Sequence, residues 1–413
     1  MIELPPSKSI GARFLMASYF AGTLPADPLF DDNDDLLVLQ DALLEIYSDE
    51  EPIDYGDSPI DAGASGTALR FVLALCASTP GADYVITGTD RLMKRPMAPL
   101  IDLLREAGGE IEALGEKDTG PYRVKGKILE GGAFQIRGDI SSQFISALML
   151  VSPSWEKGMD LSFTTSLVSR PYVEMTAKLM KKFGIKPSLS SHGVTVPHDS
   201  YIEPLNFKVE ADWSSASFFY EAAAIGAPEM FIENLPSPKD SLQGDSVAAA
   251  LFNKIGVMSS FESKGVWLKR GEASASINED FKDCPDLVLP FAVACLCDDV
   301  NFRLINIAHL RDKESDRLES LRVEAEKLGY KIKIDEDFIE WKGEKINPVS
   351  DPIIDTHDDH RVAMAFAMVA LKRGEIKIRN PRVVEKSFIN FWNQLPGIGL
   401  KCEEQEDVMV VRK

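Results

Sequence analysis

Leu103-Leu104-Arg105-Glu106-Ala107-Gly108 opens a pattern that returns at Leu179-Met180-Lys181-Lys182-Phe183-Gly184, Leu251-Phe252-Asn253-Lys254-Ile255-Gly256 and Glu324-Ala325-Glu326-Lys327-Leu328-Gly329. Each time a helix-like apolar run stops at a glycine and a strand-like stretch follows. Glycine there accepts the left-handed backbone that ends a helix, and the cation before it complements the helix C-terminus. Weaker copies end near Tyr47 and near Gly397. Successive endings lie roughly 60–75 residues apart, too long for a solenoid repeat but right for several strands and two helices. Six such units in two groups of three predict an α/β (α+β) chain of two similar domains, each of three repeated βαβ-type units. The break falls near Val209-Glu210-Ala211-Asp212, where no Pro/Gly/Ser-rich linker intervenes, so a short hinge is expected.

The composition limits what the chain can do. Its 413 residues can fill two cores, and 45% hydrophobic with 27% charged residues is ordinary for a soluble globular protein. A formal net charge of −20 argues against nucleic acid or an anionic membrane as the main partner, since both need a basic face. Cations set in short polar motifs within an acidic chain point instead to small anionic ligands. Cys76, Cys284, Cys295, Cys297 and Cys402 form no disulfide framework and have no zinc-site spacing, which fits a reducing cytoplasm. The start, MIELPPSKS, has no apolar stretch of signal-peptide length, and the apolar run 287–297 is too short to span a bilayer. The acidic stretches 31–35 and 49–51 read as solvated loops.

Short polar motifs stand before several of the predicted helices. Ser7-Lys8-Ser9 leads into a helix with Ile10, Phe14 and Ala17 on its apolar stripe, so Ser9 and Arg13 share a face and Lys8 sits at its mouth. Ser65-Gly66-Thr67 before Arg70, and Ser141-Ser142-Gln143 before Phe144, are polar beyond what one helix cap needs. Lys94-Arg95-Pro96 is expected at the start of the helix carrying Leu100, Leu103 and Leu104, and Ser169-Arg170-Pro171-Tyr172 makes a further polar turn. Asp286 precedes a buried helix, either as a dipole partner or as a partly desolvated base with a raised pKa.

Leu310, Leu318, Leu321, Ala325 and Leu328 fall at helical spacing, predicting an amphipathic helix through 310–321, LRDKESDRLESL. Lys313, Glu314 and Arg317 then crowd one edge. They form either a solvated ion pair or an anion site with a carboxylate held among cations. His357 and His360 flank two carboxylates, but no third metal ligand is evident and Arg361 adds a repelling cation, so no metal is expected and His360 reads as a hydrogen-bonded junction residue. Lys386-Ser387-Phe388 closes the series.

Taken in order, SKS…R, SGT..R, KRP, SSQF, S.PY, PD, KESDR, DHR and KSF resemble the 3-phosphoshikimate 1-carboxyvinyltransferases, also called 5-enolpyruvylshikimate-3-phosphate synthases, over almost the whole chain. The resemblance implies the enolpyruvyl transferase fold with its active site in the interdomain cleft, one domain at 8–210 and the other at 1–7 plus 211–413. It implies transfer of the enolpyruvyl group of phosphoenolpyruvate to the 5-hydroxyl of shikimate 3-phosphate, with closure on the first substrate. Shikimate 3-phosphate would meet Lys8, Ser9, Arg13, Ser141, Ser142, Gln143, Ser169, Tyr172, Asp286, His309 and Lys313. Phosphoenolpyruvate would meet Lys8, Gly66, Arg95, Gln143, Arg317, Arg361 and Lys386. Asp286 and Glu314 would carry protons, with Lys8 assisting. No cofactor is implied, and a cytoplasmic monomer is expected.

Gly11-Ala12 stands where the family usually has Ser-Asn. Ala64 and His309 stand where asparagine is common. The chain starts about a dozen residues early relative to the motif, so the family's first strand is expected to be largely missing. The competing readings are the sister transferase acting on UDP-N-acetylglucosamine, which uses a loop cysteine, and a catalytically impaired anion-binding homologue.

Overall fold

The computed structural model describes residues 1–30, 33–47 and 59–413. One folding unit recurs. Ile60–Asp61 runs parallel to Asp83–Thr87 with the helix Gly66–Ser78 between them in sequence; after the helix Ala98–Glu106, Glu110–Ala113 and Tyr122–Lys125 complete the sheet antiparallel. The same order holds for the sheets that begin at Gly132–Ile136, Ser276–Asp280 and Ile353–Ile354. Gly108, Gly184, Gly256 and Gly329 take φ of 104°, 90°, 89° and 94°, the left-handed conformation their pattern predicted. In the last copy that conformation belongs to Gly399 (φ 85°), not Gly397; a Cβ on Gly397 would lie 3.0 Å from Ile2 Cδ1.

The chain divides into two compact units, Lys8–Val209 and Met1–Ser7 with Glu210–Lys413. Three sheets belong to the second unit and, among the described residues, two to the first, whose helices Lys8–Phe20 and Asp34–Tyr47 accompany no further sheet. One sheet of the second unit has three strands, Met230–Glu233, Gly265–Arg270 and Val257–Glu262. Ile2, fully buried, bridges in parallel to Ile232 where the other sheets have their first strand. The expected loss of that strand is therefore made good by the N-terminal residues. Pro6 bridges Ala211 in the same unit.

Helices buried on nearly every side fill each core. In the second unit, every residue of Trp213–Ile225, Val288–Cys297 and His360–Ala367 is buried, one such helix for each sheet. In the first unit Gly66–Ser78 is buried from Ala68 onward and Ser142–Val151 is buried except at Gln143. At roughly 1.5–3 kcal/mol for each large apolar side chain removed from water, these helices dominate the folding drive. They also fix the rest of the layout. The motifs at residues 65–67, 141–143, 169–172, 285–286, 313–317 and 359–361 sit where a strand's end passes towards the next helix, the usual ligand-binding end of parallel strands.

Several local expectations change. Asp34 and Asp35 open the helix Asp34–Tyr47 instead of lying in a loop, because acidic residues suit a helix N-terminus; Asp31, Asp32 and residues 49–51 lie outside the described residues. The helix expected through 310–321 is split. A 3-10 turn covers Ala308–Asp312, and the α-helix Arg317–Lys327 starts only after Asp316, whose carboxylate accepts from Glu319 N at 3.1 Å. Lys313 and Glu314 thus precede the helix. Lys94-Arg95-Pro96 links the helices Asp90–Met93 and Ala98–Glu106 and does not begin either.

Candidate functional site

In the unit Lys8–Val209 the polar motifs form two hydrogen-bonded groups and an ion pair. Arg13, 2% exposed, donates from Nε to Thr176 Oγ1 (2.6 Å), from Nη1 to Ser9 O (2.7 Å) and from Nη2 to Ser146 Oγ (2.9 Å). Burial pushes its guanidinium down to about 10, still protonated at neutral pH. Lys8 pairs with Asp35 at 2.8 Å. Gln143 accepts from Arg70 Nη1 (2.6 Å) and donates to Thr67 Oγ1 (3.0 Å). Gln143 and Ser146 stand three residues apart on the helix Ser142–Val151, so one helix edge joins both groups. Gly66 explains itself by space: a Cβ there would lie 2.6 Å from Arg70 Nη1 and 2.7 Å from Arg95 Nη1. Only glycine lets both guanidiniums approach the backbone at the start of that helix, where free N–H groups already favour an anion. Ser141 accepts from Gln143 N, and Ser169 holds φ 52° ahead of the helix Arg170–Lys182, bringing Tyr172 into its first turn; the Tyr172 carbonyl accepts from Arg13.

In the second unit Arg317 is the centre. Its guanidinium, 2% exposed, donates to Asp286 Oδ1 (2.9 Å), Glu314 Oε2 (2.8 Å) and Asp359 Oδ2 (2.8 Å). Burial opposes its charge, but Asp359, Glu314 and Asp286 more than offset that and hold it protonated. Arg361 Nη2 donates to Asp286 Oδ2 at 2.9 Å, so one carboxylate lies between two guanidiniums. Burial would raise the pKa of Asp286, yet the fields of Arg361, Lys313 and Arg317 outweigh it and hold the carboxyl well below the usual range. Of the two readings open for Asp286, the raised pKa is thus overturned by cations distant in sequence. Burial also lowers the Lys313 ammonium, against Asp286. His309 is pushed down to about 4 by burial and then by Lys313, leaving it neutral at pH 7, and its Nε2 is buried with no hydrogen-bond partner. Lys386 Nζ donates to Asp358 O at 2.8 Å.

Two carboxylates here escaped the sequence reading. Asp359, fully buried, caps the helix His360–Ala367 and binds Arg317; its side chain also accepts from Ser315 Oγ at 3.2 Å and Arg361 N at 3.0 Å. Its place just before a helix start was the available signal. Asp245 accepts from Ser214 Oγ and is raised to about 7, by burial and then by Asp286. The two histidines take separate tasks: His360 is the buried first residue of its helix, whereas His357 bonds Glu324.

A family model described as EPSP synthase (3-phosphoshikimate 1-carboxyvinyltransferase) matches residues 1–395. A 3-phosphoshikimate 1-carboxyvinyltransferase of Bacteroides fragilis is 39% identical over 408 residues, 98% of this chain and 97% of the relative. One from Vibrio cholerae serotype O1 is 33% identical over 416 residues, covering 95% of each. The solved EPSP synthase of Acinetobacter baumannii superposes with a TM-score of 0.74 at 22% identity, over 99% of this chain and 97% of that one, which establishes the shared fold. The fold is that of the enolpyruvyl transferases. The chain belongs to the EPSP synthase (3-phosphoshikimate 1-carboxyvinyltransferase) family.

Proposed function

We propose that this protein transfers the enolpyruvyl group of phosphoenolpyruvate to the 5-hydroxyl of shikimate 3-phosphate and releases phosphate. The observation that carries the reading is the shared guanidinium of Arg317, which holds Asp286 and Glu314 in different surroundings. Addition to the enol double bond needs a proton given to the methylene carbon and one taken from the attacking hydroxyl. Two carboxylates in unlike fields can divide that work. Asp286 accepts the hydroxyl proton and Glu314 serves the methylene, with Lys8 assisting. The C–O bond to phosphate then breaks and the methylene carbon gives a proton back.

Asp286 in its present field is ionised but a weak base. Substrate anions arriving beside Arg317, Arg361 and Lys313 draw off part of that field and raise its basicity when the acceptor is in place. Shikimate 3-phosphate is assigned to Lys8, Ser9, Arg13, Ser141, Ser142, Gln143, Ser169, Tyr172, Asp286, His309 and Lys313. Phosphoenolpyruvate is assigned to Lys8, Gly66, Arg95, Gln143, Arg317, Arg361 and Lys386. Fixed cations and glycine-exposed amides suit phosphorylated carboxylates, and no redox or metal step is needed. The reading includes a cytoplasmic monomer; no helix among the described residues is long and apolar enough to cross a membrane.

The thiols weigh against the UDP-N-acetylglucosamine reaction. Cys76, Cys284, Cys295 and Cys297 are buried and burial raises each of them, while Cys402 lies on a strand and is pushed up to about 11. The test is phosphate release from phosphoenolpyruvate with each acceptor. Release with shikimate 3-phosphate alone supports the proposal. Release only with UDP-N-acetylglucosamine, or binding of both substrates without release, overturns it.

A further inference from the structure

The turn that precedes Arg361 is strained. His357 and Asp358 have φ of 51° and 57°, consecutive left-handed residues that are not glycine. Such residues are strained and persist only where their surroundings hold them. Glu324, Asp355 and Asn380 hold this turn. His357 Nε2 meets Glu324 Oε1 at 2.9 Å, and Asp355 N donates to Glu324 Oε2 at 3.1 Å. His357 N donates to Asp355 Oδ1 (2.9 Å), and Asn380 Nδ2 to Asp358 Oδ1 (2.9 Å). Glu324 is fully buried and also pairs with Lys327 at 2.6 Å.

What the turn presents is as telling as what holds it. The Asp358 carbonyl receives Lys386, and the Asp359 carboxylate receives Arg317 and the Arg361 amide. Arg317 and Glu324 lie seven residues apart on the helix Arg317–Lys327, hence on the same face. One helix face therefore grips the turn twice: Arg317 takes Asp359 at one point, and Glu324 takes His357 and Asp355 at the other.

We propose that Glu324 and His357 are positioning residues that hold the turn 357–359 in its strained form and so fix Lys386, Arg317 and Arg361 for the phosphoenolpyruvate anion. The effect on substrate rests on the transfer reaction proposed above. The hold on the turn does not.

Two variants isolate the contact. Asparagine tolerates the left-handed backbone but its amide is too short to stand where His357 Nε2 stands, whereas the glutamine amide reaches that position. In His357→Asn the KM for phosphoenolpyruvate rises about tenfold while that for shikimate 3-phosphate stays within about twofold, and His357→Gln recovers most of the loss. Hydrogen exchange at the Asp359 and Arg361 amides speeds up in His357→Asn but not in His357→Gln. Equal losses for both substrates, in step with a lowered melting temperature, would mean a merely structural role and overturn the proposal. Unchanged kinetics with unchanged exchange overturn it too. If the wild type releases no phosphate, the reaction assignment fails, and the exchange data still decide whether Glu324 and His357 hold the turn.

Discussion

Replacing Asp359 by Asn keeps the shape of the side chain and removes its charge. The carboxylate is fully buried and faces Arg317 Nε at 2.8 Å, Ser315 Oγ at 3.2 Å and Arg361 N at 3.0 Å. Orphaning a buried charge costs about 3–5 kcal/mol, but Arg317 keeps two other carboxylates and asparagine keeps one acceptor oxygen. The loss should therefore be that of one charge-assisted hydrogen bond, about 2–3 kcal/mol. For a unit of this size that lowers the melting temperature by about 5–10 °C. Tryptophan emission suits the assay because Trp213, Trp267, Trp341 and Trp392 report on the unit that holds Asp359, with Trp155 alone in the other. Activity should fall as well, chiefly through KM for phosphoenolpyruvate. A variant with wild-type melting and wild-type KM would refute the argument that Asp359 anchors Arg317.

Gly66→Ala places a methyl against Arg70 and Arg95, so KM for phosphoenolpyruvate should rise about tenfold with little change in melting temperature; an unchanged KM would show that the guanidiniums yield without cost. Glu221 is fully buried in the helix Trp213–Ile225, neither carboxylate oxygen has a hydrogen-bond partner, and burial raises its pKa well above the ordinary value. A raised carboxyl contributes stability that is complete below its unfolded pKa of about 4.3 and is lost as pH rises through the folded one. Glu221→Gln should accordingly raise the melting temperature more at pH 8 than at pH 5, and an equal change at both would contradict the assignment. His309 has the opposite sign. Its folded pKa of about 4 lies below the unfolded value, so it costs stability as pH falls below about 6.5, and His309→Asn should flatten the melting profile between about pH 6.5 and 4.

Local features were legible in the chain because they are decided locally. The four glycines take left-handed φ because no other residue ends a helix there so cheaply, and six spaced endings imply a repeated unit. The start of the helix at Arg317 was also readable: Asp316 with Glu319 three residues on is a capping pattern, but the apolar spacing from Leu310 masked it. Other properties depend on residues far apart in sequence. The Asp286 carboxyl is lowered, not raised, because Arg317 and Arg361, 31 and 75 residues away, bracket it. Asp359 resembled one more acidic neighbour of two histidines until its contact with Arg317, 42 residues back, was known.

Isotopes test transfer by addition and elimination most directly. With shikimate 3-phosphate in D2O and phosphoenolpyruvate carrying 18O at its bridging position, mass spectrometry should find deuterium on the product's methylene carbon and the 18O in the released phosphate. An organic product that keeps the bridging 18O would mean that a P–O bond broke, and would contradict the proposed chemistry whether or not it carries deuterium.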